Sequence, residues 1–253
     1  MQRRLLVATI AACGAFALAA CSGQRPSLSD AADASAGAAR GSVGKVAVTD
    51  PKAGDTSVVA TATVPRVDVF DSTTASKPSR TLANPIASGG PLVFLVVEST
   101  REWHHVMLPV RPNGSTGWIR ASDVSLTRHN YRIVVTLAQF RLDVLQAGKV
   151  MLQAPIGVAR DNTPTPGGRY YTTELLRPPT PDSVYGSYAY GLSGYSDVLE
   201  TFNGGPGQLG IHGTNDPASI GQRVSAGCIR LRNADIERLA KRLPLGVPVD
   251  VMT

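Results

Sequence analysis

The sequence predicts a mainly β protein with one short helix near its C-terminal end, and three observations carry that prediction. Short runs of apolar and β-branched residues recur from about residue 46 onward, each closed by a turn containing Gly, Pro or Asn. Gly and Pro account for 25 and 18 of the 253 residues, which is turn-rich without reaching low-complexity levels. Only one stretch, near residues 233–243, has the i, i+3, i+4, i+7 apolar spacing of a helix face. The rest of the composition excludes other classes. An apolar fraction of 43% suffices for a packed core, and 17% charged residues is low for a coiled coil. Three cysteines cannot build a disulfide framework, and the odd number leaves at least one unpaired within the chain.

The N-terminal residues read as an export signal. Arg3 and Arg4 precede an uncharged, mostly apolar run from Leu5 to Ala20, which is short for a membrane span and ends in small residues. The ending Leu18-Ala19-Ala20-Cys21 resembles the lipobox of bacterial lipoproteins. That resemblance implies a signal peptide over 1–20, cleavage before Cys21, lipidation of Cys21, and a membrane-anchored protein facing the cell wall or periplasm. Residues 21–44 are Ser, Ala, Gly, Asp and Arg with few large apolar side chains, too little to offset ordering entropy, and are expected to form a flexible tether. The full chain has 25 basic and 19 acidic residues, net +6, and loss of Arg3 and Arg4 lowers this to +4. The basic residues form no run and interleave with no aromatic ladder, so no nucleic-acid partner is expected.

Residues 45–127 predict a small β-barrel. Strands are expected at Val58–Val64, Val67–Phe70, Leu92–Val97 and Trp103–Leu108, then a turn at Pro112-Asn113-Gly114 and a strand through Gly117-Trp118-Ile119. The closing Trp strand, Gly turn and Gly117-Trp118-Ile119-Arg120 resemble bacterial SH3-like modules, which implies either wall binding or a packing role. The adjacent His104 and His105 face opposite sides of a strand and so do not offer two metal ligands on one face. Asn113-Gly114-Ser115 reads as a tight hairpin turn and not as a glycosylation acceptor.

From residue 130 the pattern is a β-meander: Tyr131–Leu137, Phe140–Leu145 and Lys149–Gln153, with Ala147-Gly148 as a two-residue turn. Residues 155–210 read as a long irregular region containing one strand, Arg169–Leu175, and a Gly/Tyr-rich loop to Tyr195. Asn233 is placed as a helix N-cap, Ile236, Leu239, Ala240 and Leu243 as the buried stripe, Pro244 as the stop, and Val247–Val251 as a last strand.

The chemistry concentrates between Gly210 and Asn233. His212 and Cys228 lie sixteen positions apart, and Cys228 is the thiol left once Cys13 departs with the signal and Cys21 carries lipid. A thiol beside an imidazole is sufficient for acyl transfer without a metal. Gly227 permits close backbone approach, and peptide N–H groups around Cys228 are candidates for an oxyanion site. Zinc on His212, Asp216 and Cys228 is the competing reading, but no second His is close and no zinc motif is present. Gly191-Leu192-Ser193-Gly194-Tyr195 misses the serine-hydrolase elbow at its last position.

His212-Gly213-Thr214-Asn215, followed by Ser225-Ala226-Gly227-Cys228-Ile229-Arg230-Leu231, resembles the active-site signature of the YkuD-type L,D-transpeptidases. The resemblance covers residues 130–252, including Thr163–Gly167 and the Asn233-Ala234-Asp235 helix start. It implies a β-sandwich catalytic domain with a C-terminal helix and no cofactor. Cys228 is then the nucleophile that attacks the peptide bond after meso-diaminopimelate in a tetrapeptide stem of peptidoglycan, expelling D-alanine. The thioester passes to the side-chain amine of a second stem, forming a 3→3 cross-link. By the same resemblance His212 is the general base, oriented by the Gly213 carbonyl. Ser225, Gly227 and Arg230 contribute to substrate binding or the oxyanion site, and carbapenem-type β-lactams are expected to acylate Cys228. Where family members often carry His, this sequence has Ala226, which removes one local cation. Transfer to water (an L,D-carboxypeptidase), transfer to a protein amine, and a non-catalytic wall-binding lipoprotein are the rival readings.

Overall fold

The computed structural model describes residues 56–180 and 182–253. The signal segment, Cys21, the tether and the first residues of the expected barrel lie outside the described residues.

The N-terminal half is built from strands β1 (Ser57–Ala62), β2 (Arg66–Val69), β3 (Arg80–Ala83), β4 (Val93–Ser99), β5 (Trp103–Met107), β6 (Thr116–Arg120) and β7 (Val124–His129). Five of them form one antiparallel sheet in the order β6-β5-β4-β1-β7, and β2 and β3 form a separate hairpin. A bridge between Phe70 and Trp118 joins the end of the hairpin to β6, partly closing a barrel around Ala60, Val67, Phe94, Val106 and Ile119. Alternation along β5 buries His104, whose Nδ1 lies 3.0 Å from Ser99 Oγ, and turns His105 outward onto the Trp118 ring at 4.8 Å. Gly114 has φ +81°, as the tight turn at Asn113 requires.

The second half comprises β8 (Tyr131–Thr136), β9 (Arg141–Gln146), β10 (Lys149–Pro155), β11 (Val158–Ala159), β12 (Gly168–Leu176), β13 (Ala189–Tyr195), β14 (Gln208–His212), β15 (Arg223–Ser225), β16 (Ile229–Arg230), helix α1 (Asn233–Ala240) and β17 (Pro248–Met252). Eight strands make one sheet in the order β10-β9-β8-β17-β12-β13-β14-β16, with β17–β8 and β14–β16 parallel. Strands from both ends of that order, through Leu142 and Ala154 on one side and Leu209, Ile211 and Ile229 on the other, enter the same core. The sheet therefore bends round its core, and α1 closes it with Ile236 and Leu239.

Three sequence expectations change. The Gly/Tyr-rich stretch before Tyr195 is a strand, β13, because Tyr190 and Leu192 alternate into the core while Gly191 takes the other face and Gly194 packs against the Tyr170 ring. The helix ends at Ala240 and not at Leu243, although Leu243 N–H still donates to Leu239 O at 2.8 Å. Asn233 is not the N-cap; Arg232 holds that position without a side-chain cap, and Asn233 is the first helical residue, its side chain engaged elsewhere.

The two halves meet over a small cluster of Val59, Val93, Leu95, Met107 and Tyr171. The buried Tyr171 hydroxyl lies 3.1 and 3.2 Å from the Val93 and Met107 carbonyls, and burial raises its pKa well above the ordinary tyrosine value.

Candidate active site

The parallel pairing of β14 with β16 places Ile211 opposite Ile229 and His212 opposite Arg230, so Gly210 stands beside Cys228. Ile211 and Ile229 are fully buried in the core. Strand alternation therefore turns Gly210, His212, Cys228 and Arg230 to the opposite face, with His212 and Cys228 as diagonal neighbours. A Cβ at Gly210 would lie 3.8 Å from Cys228 Sγ.

His212 is buried, and its Nδ1 lies 2.5 Å from the Gly213 carbonyl oxygen. A carbonyl can only accept, so Nδ1 carries the proton and Nε2 is left as the basic nitrogen. Burial pushes the His212 pKa down to about 4; the Gly213 carbonyl opposes this and the Arg230 charge adds to it. Burial likewise raises the Cys228 thiol, against a backbone hydrogen bond at Gly210 and the Arg230 charge. Near neutral pH the pair thus rests as thiol and neutral imidazole, not as an ion pair.

The loop from Ser225 to Cys228 is held from inside. Ser225 Oγ donates to Cys228 O at 2.5 Å and accepts from Gly227 N–H at 3.3 Å. Ser225 Oγ and Gly227 N–H, two of the three groups expected from sequence to serve substrate or oxyanion binding, therefore face into the loop in this conformation. Gly227 has φ +133°, a backbone region that side chains disfavour. From behind, the buried Thr165 hydroxyl donates to Gly227 O at 2.8 Å, which gives the Thr163–Gly167 segment its place in the site. Arg230 is anchored by its backbone, with N–H and C=O both paired to Gly157 at 2.9 Å. Its side chain lines the cavity beside Cys228, and its buried Nε has no partner.

A second support carries His212, and sequence reasoning placed its key residue elsewhere. Asn233 Oδ1 accepts from Thr214 N–H at 3.1 Å and Ser187 N–H at 3.2 Å, locking the turn after His212 to the start of α1. The approach is so close that a Cβ at Gly213 would lie 2.2 Å from that oxygen. Asp216, the third zinc candidate, instead accepts from Ala218 N–H and caps a short turn, and among the described residues no cluster of metal-ligating side chains is found.

Two cavities, about 60 and 620 Å3, meet at Cys228 and His212. Tyr185, Phe202 and Asn203 line both. Tyr185 presents its ring edge-on to His212 at 5.0 Å, and Asn203 Nδ2 donates to its hydroxyl at 3.2 Å, so these two loops form the roof over the thiol. The larger cavity runs along the groove face of β12, β13 and β14 past Glu174 to Arg177. Tyr170, Tyr171 and Tyr195 do not line it; their hydroxyls bond to the Pro166, Val93 or Met107, and Pro109 carbonyls.

The roof loop is tied to the N-terminal half. Arg111 donates to the carbonyls of Ser196 at 2.6 Å, Leu199 at 2.9 Å and Pro206 at 3.1 Å, and stacks over the Tyr195 ring. Asn113 pairs with both backbone groups of Tyr195, at 2.7 and 2.8 Å. The sequence marks Asn113 only as a turn residue and does not mark Arg111, because an Arg-Pro-Asn-Gly turn carries no trace of what it will touch some 85 residues later.

Residues 130–251 match the family model of the YkuD L,D-transpeptidase catalytic domain. A putative L,D-transpeptidase YkuD of Bacillus subtilis is 36% identical over 121 residues, 48% of this chain and 65% of that protein. The probable L,D-transpeptidase ErfK/SrfK of Salmonella typhimurium is 32% identical over 148 residues, 47% of this chain and 43% of that protein. The chain thus spans less than two thirds of the length of either relative. Among solved structures, an LD transpeptidase, LdtMt1, in complex with imipenem aligns with a TM-score of 0.40 at 14% identity, over 64% of this chain and 90% of that one. Over residues 130–251 the chain is thus similar to the YkuD L,D-transpeptidase catalytic domain.

Proposed function

We propose that the protein is a cysteine-dependent peptidoglycan L,D-transpeptidase that forms 3→3 cross-links. The observation that carries this reading is the thiol of Cys228 on one sheet face with His212, whose Nδ1–H is committed to Gly213 and whose Nε2 is free to take a proton, at the junction of two cavities. With the thiol raised and the imidazole depressed, a standing ion pair is disfavoured, so proton transfer accompanies attack. His212 Nε2 takes the Sγ proton as sulfur adds to the diaminopimelate carbonyl. On collapse the bond to D-alanine breaks and the same proton passes to the leaving amine, leaving a thioester on Cys228. The amine of a second stem then adds to the thioester carbon, loses a proton to His212, and releases the thiol. Export and anchoring through a lipid on Cys21 belong to the same proposal and would set the enzyme beside its substrate.

The test is incubation of the detergent-solubilised full chain with disaccharide-tetrapeptide, followed by mass spectrometry of the products. A dimer lacking one D-alanine is the expected product, and a bare tripeptide would instead identify a carboxypeptidase. Cys228→Ala and His212→Ala should abolish turnover; product from Cys228→Ala would exclude the mechanism. A carbapenem should leave a covalent adduct on Cys228 in the wild-type chain.

A further inference from the structure

The register across the active-site sheet puts four residues in one row: Glu174 opposite Gly191, Gly191 opposite Gly210, and Gly210 beside Cys228. Cross-strand partners share a face, so the carboxylate and the thiol stand at the two ends of a trough floored by two glycines. All four residues line the 620 Å3 cavity. The floor is bare for a reason. A Cβ at Gly191 would fall 2.6 Å from Glu174 Oε1, and one at Gly210 would project to 3.8 Å from Sγ. The first of these distances also shows that the carboxylate leans over Gly191, toward Cys228.

Glu174 is half-buried and, among the described residues, its carboxylate has no hydrogen-bond donor and no basic group within 4.0 Å. This occurs in a chain with 25 basic and 19 acidic residues. A carboxylate that is partly desolvated and unpaired is unfavourable until a cation or donor reaches it. The surrounding groove walls are apolar and aromatic, from Leu176, Pro178, Tyr185 and Phe202. Such walls would strengthen a charge-assisted contact made between them.

We propose that Glu174 binds the side-chain ammonium of the acyl donor and so restricts the enzyme to donors whose scissile carbonyl belongs to a diamino acid. The inference rests on the transpeptidase reading above and deepens it. The distances agree. Three strand spacings of about 4.8 Å separate Glu174 from Cys228 at the backbone, and the lean of the carboxylate leaves roughly 10 Å to the sulfur. An amine six bonds from the carbonyl carbon reaches about 7–8 Å, and a hydrogen bond adds about 3 Å. The acceptor amine is not the group held there. It must attack the thioester carbon next to Sγ, and Glu174 stands beyond two glycine strands from that point.

Single-turnover acylation of the full chain separates the possibilities, using two disaccharide-tetrapeptide donors, one with the free side-chain amine and one N-acetylated there, with a carbapenem as a third acylating agent. Wild type should prefer the free amine, and Glu174→Gln should slow acylation by that donor about 10- to 100-fold, chiefly through weaker binding, while erasing the preference. Reaction with the acetylated donor and the carbapenem should stay within about 2-fold, and Glu174→Asp should recover part of the loss. Equal slowing with all three agents, or a wild type indifferent to acetylation, would overturn the role of Glu174 while leaving the transpeptidase intact. A wild-type chain that forms no acyl-enzyme with either stem donor would overturn the transpeptidase reading, and this one with it.

Discussion

At the residue scale, His212 is a base kept neutral by burial. With its pKa near 4 against the ordinary 6.5, the unfolded chain binds more protons than the folded one between those values. Stability is thus retained above pH 6.5 and lost as pH falls toward 4. The His212 contribution to that loss is roughly 3 kcal/mol, since each pKa unit corresponds to about 1.36 kcal/mol. We expect chemical unfolding to show this decline in wild type and His212→Gln to flatten it. An unchanged slope would mean that the imidazole is not buried in its neutral form. In the proposed mechanism the same depression keeps His212 neutral at mildly acidic pH, where an ordinary imidazole would already be charged.

At the scale of elements, the site depends on how β14, β16 and α1 are tied together. Asn233 was legible as a helix-start residue, because Asn is favoured there, but its side chain bonds to the turn after His212 rather than to its own helix. Asn233→Ala leaves the Thr214 and Ser187 N–H groups without their acceptor, which should cost about 2–3 kcal/mol. Loss of turnover should exceed loss of stability, because the freed turn also carries the Gly213 carbonyl that orients His212. Thermal melts and steady-state rates on the same preparation check this. If turnover fell only in proportion to the folded fraction, Asn233 would be a helix-start residue and no more. Strand β13 illustrates why the long region before it was misread. Gly191 belongs to the bare floor of the trough and Gly194 makes room for the Tyr170 ring, whereas glycines in sequence suggest loops.

At the scale of the whole molecule, the N-terminal half does more than occupy space beside the catalytic domain. Arg111 satisfies three carbonyls of the 196–206 loop, and Asn113 pairs both backbone groups of Tyr195. A Cβ at Gly207 would come 2.2 Å from Leu199 O and 3.1 Å from Arg111 Nη2, so the loop is shaped to fit the guanidinium. Arg111→Ala should release the roof over Cys228, with two opposite effects. Alkylation by iodoacetamide, which needs only access, should quicken by about 3- to 10-fold, while acylation by a stem donor, which needs an assembled groove, should slow by a similar factor. Both rates moving together with the melting temperature would show general destabilisation instead.

What the sequence determined alone is what short-range chemistry dictates: the β character from residue spacing, the hairpins from Asn113-Gly114 and Ala147-Gly148, the amphipathic stripe of α1, and His212 and Cys228 as the candidate reacting groups. These depend on local backbone preference, on periodicity, or on reactivities that few side chains possess. Only the tertiary structure decided which groups stand around the thiol. Glu174, Arg111, Asn233 and Thr165 come from four separate segments, and each is placed by strand register or by a loop crossing, not by its own neighbours in sequence. Register is a cooperative property of the assembled core, since a slip of one residue would turn every side chain of a strand to its other face. No local pattern around Glu174 shows that it will share a glycine-floored row with Cys228.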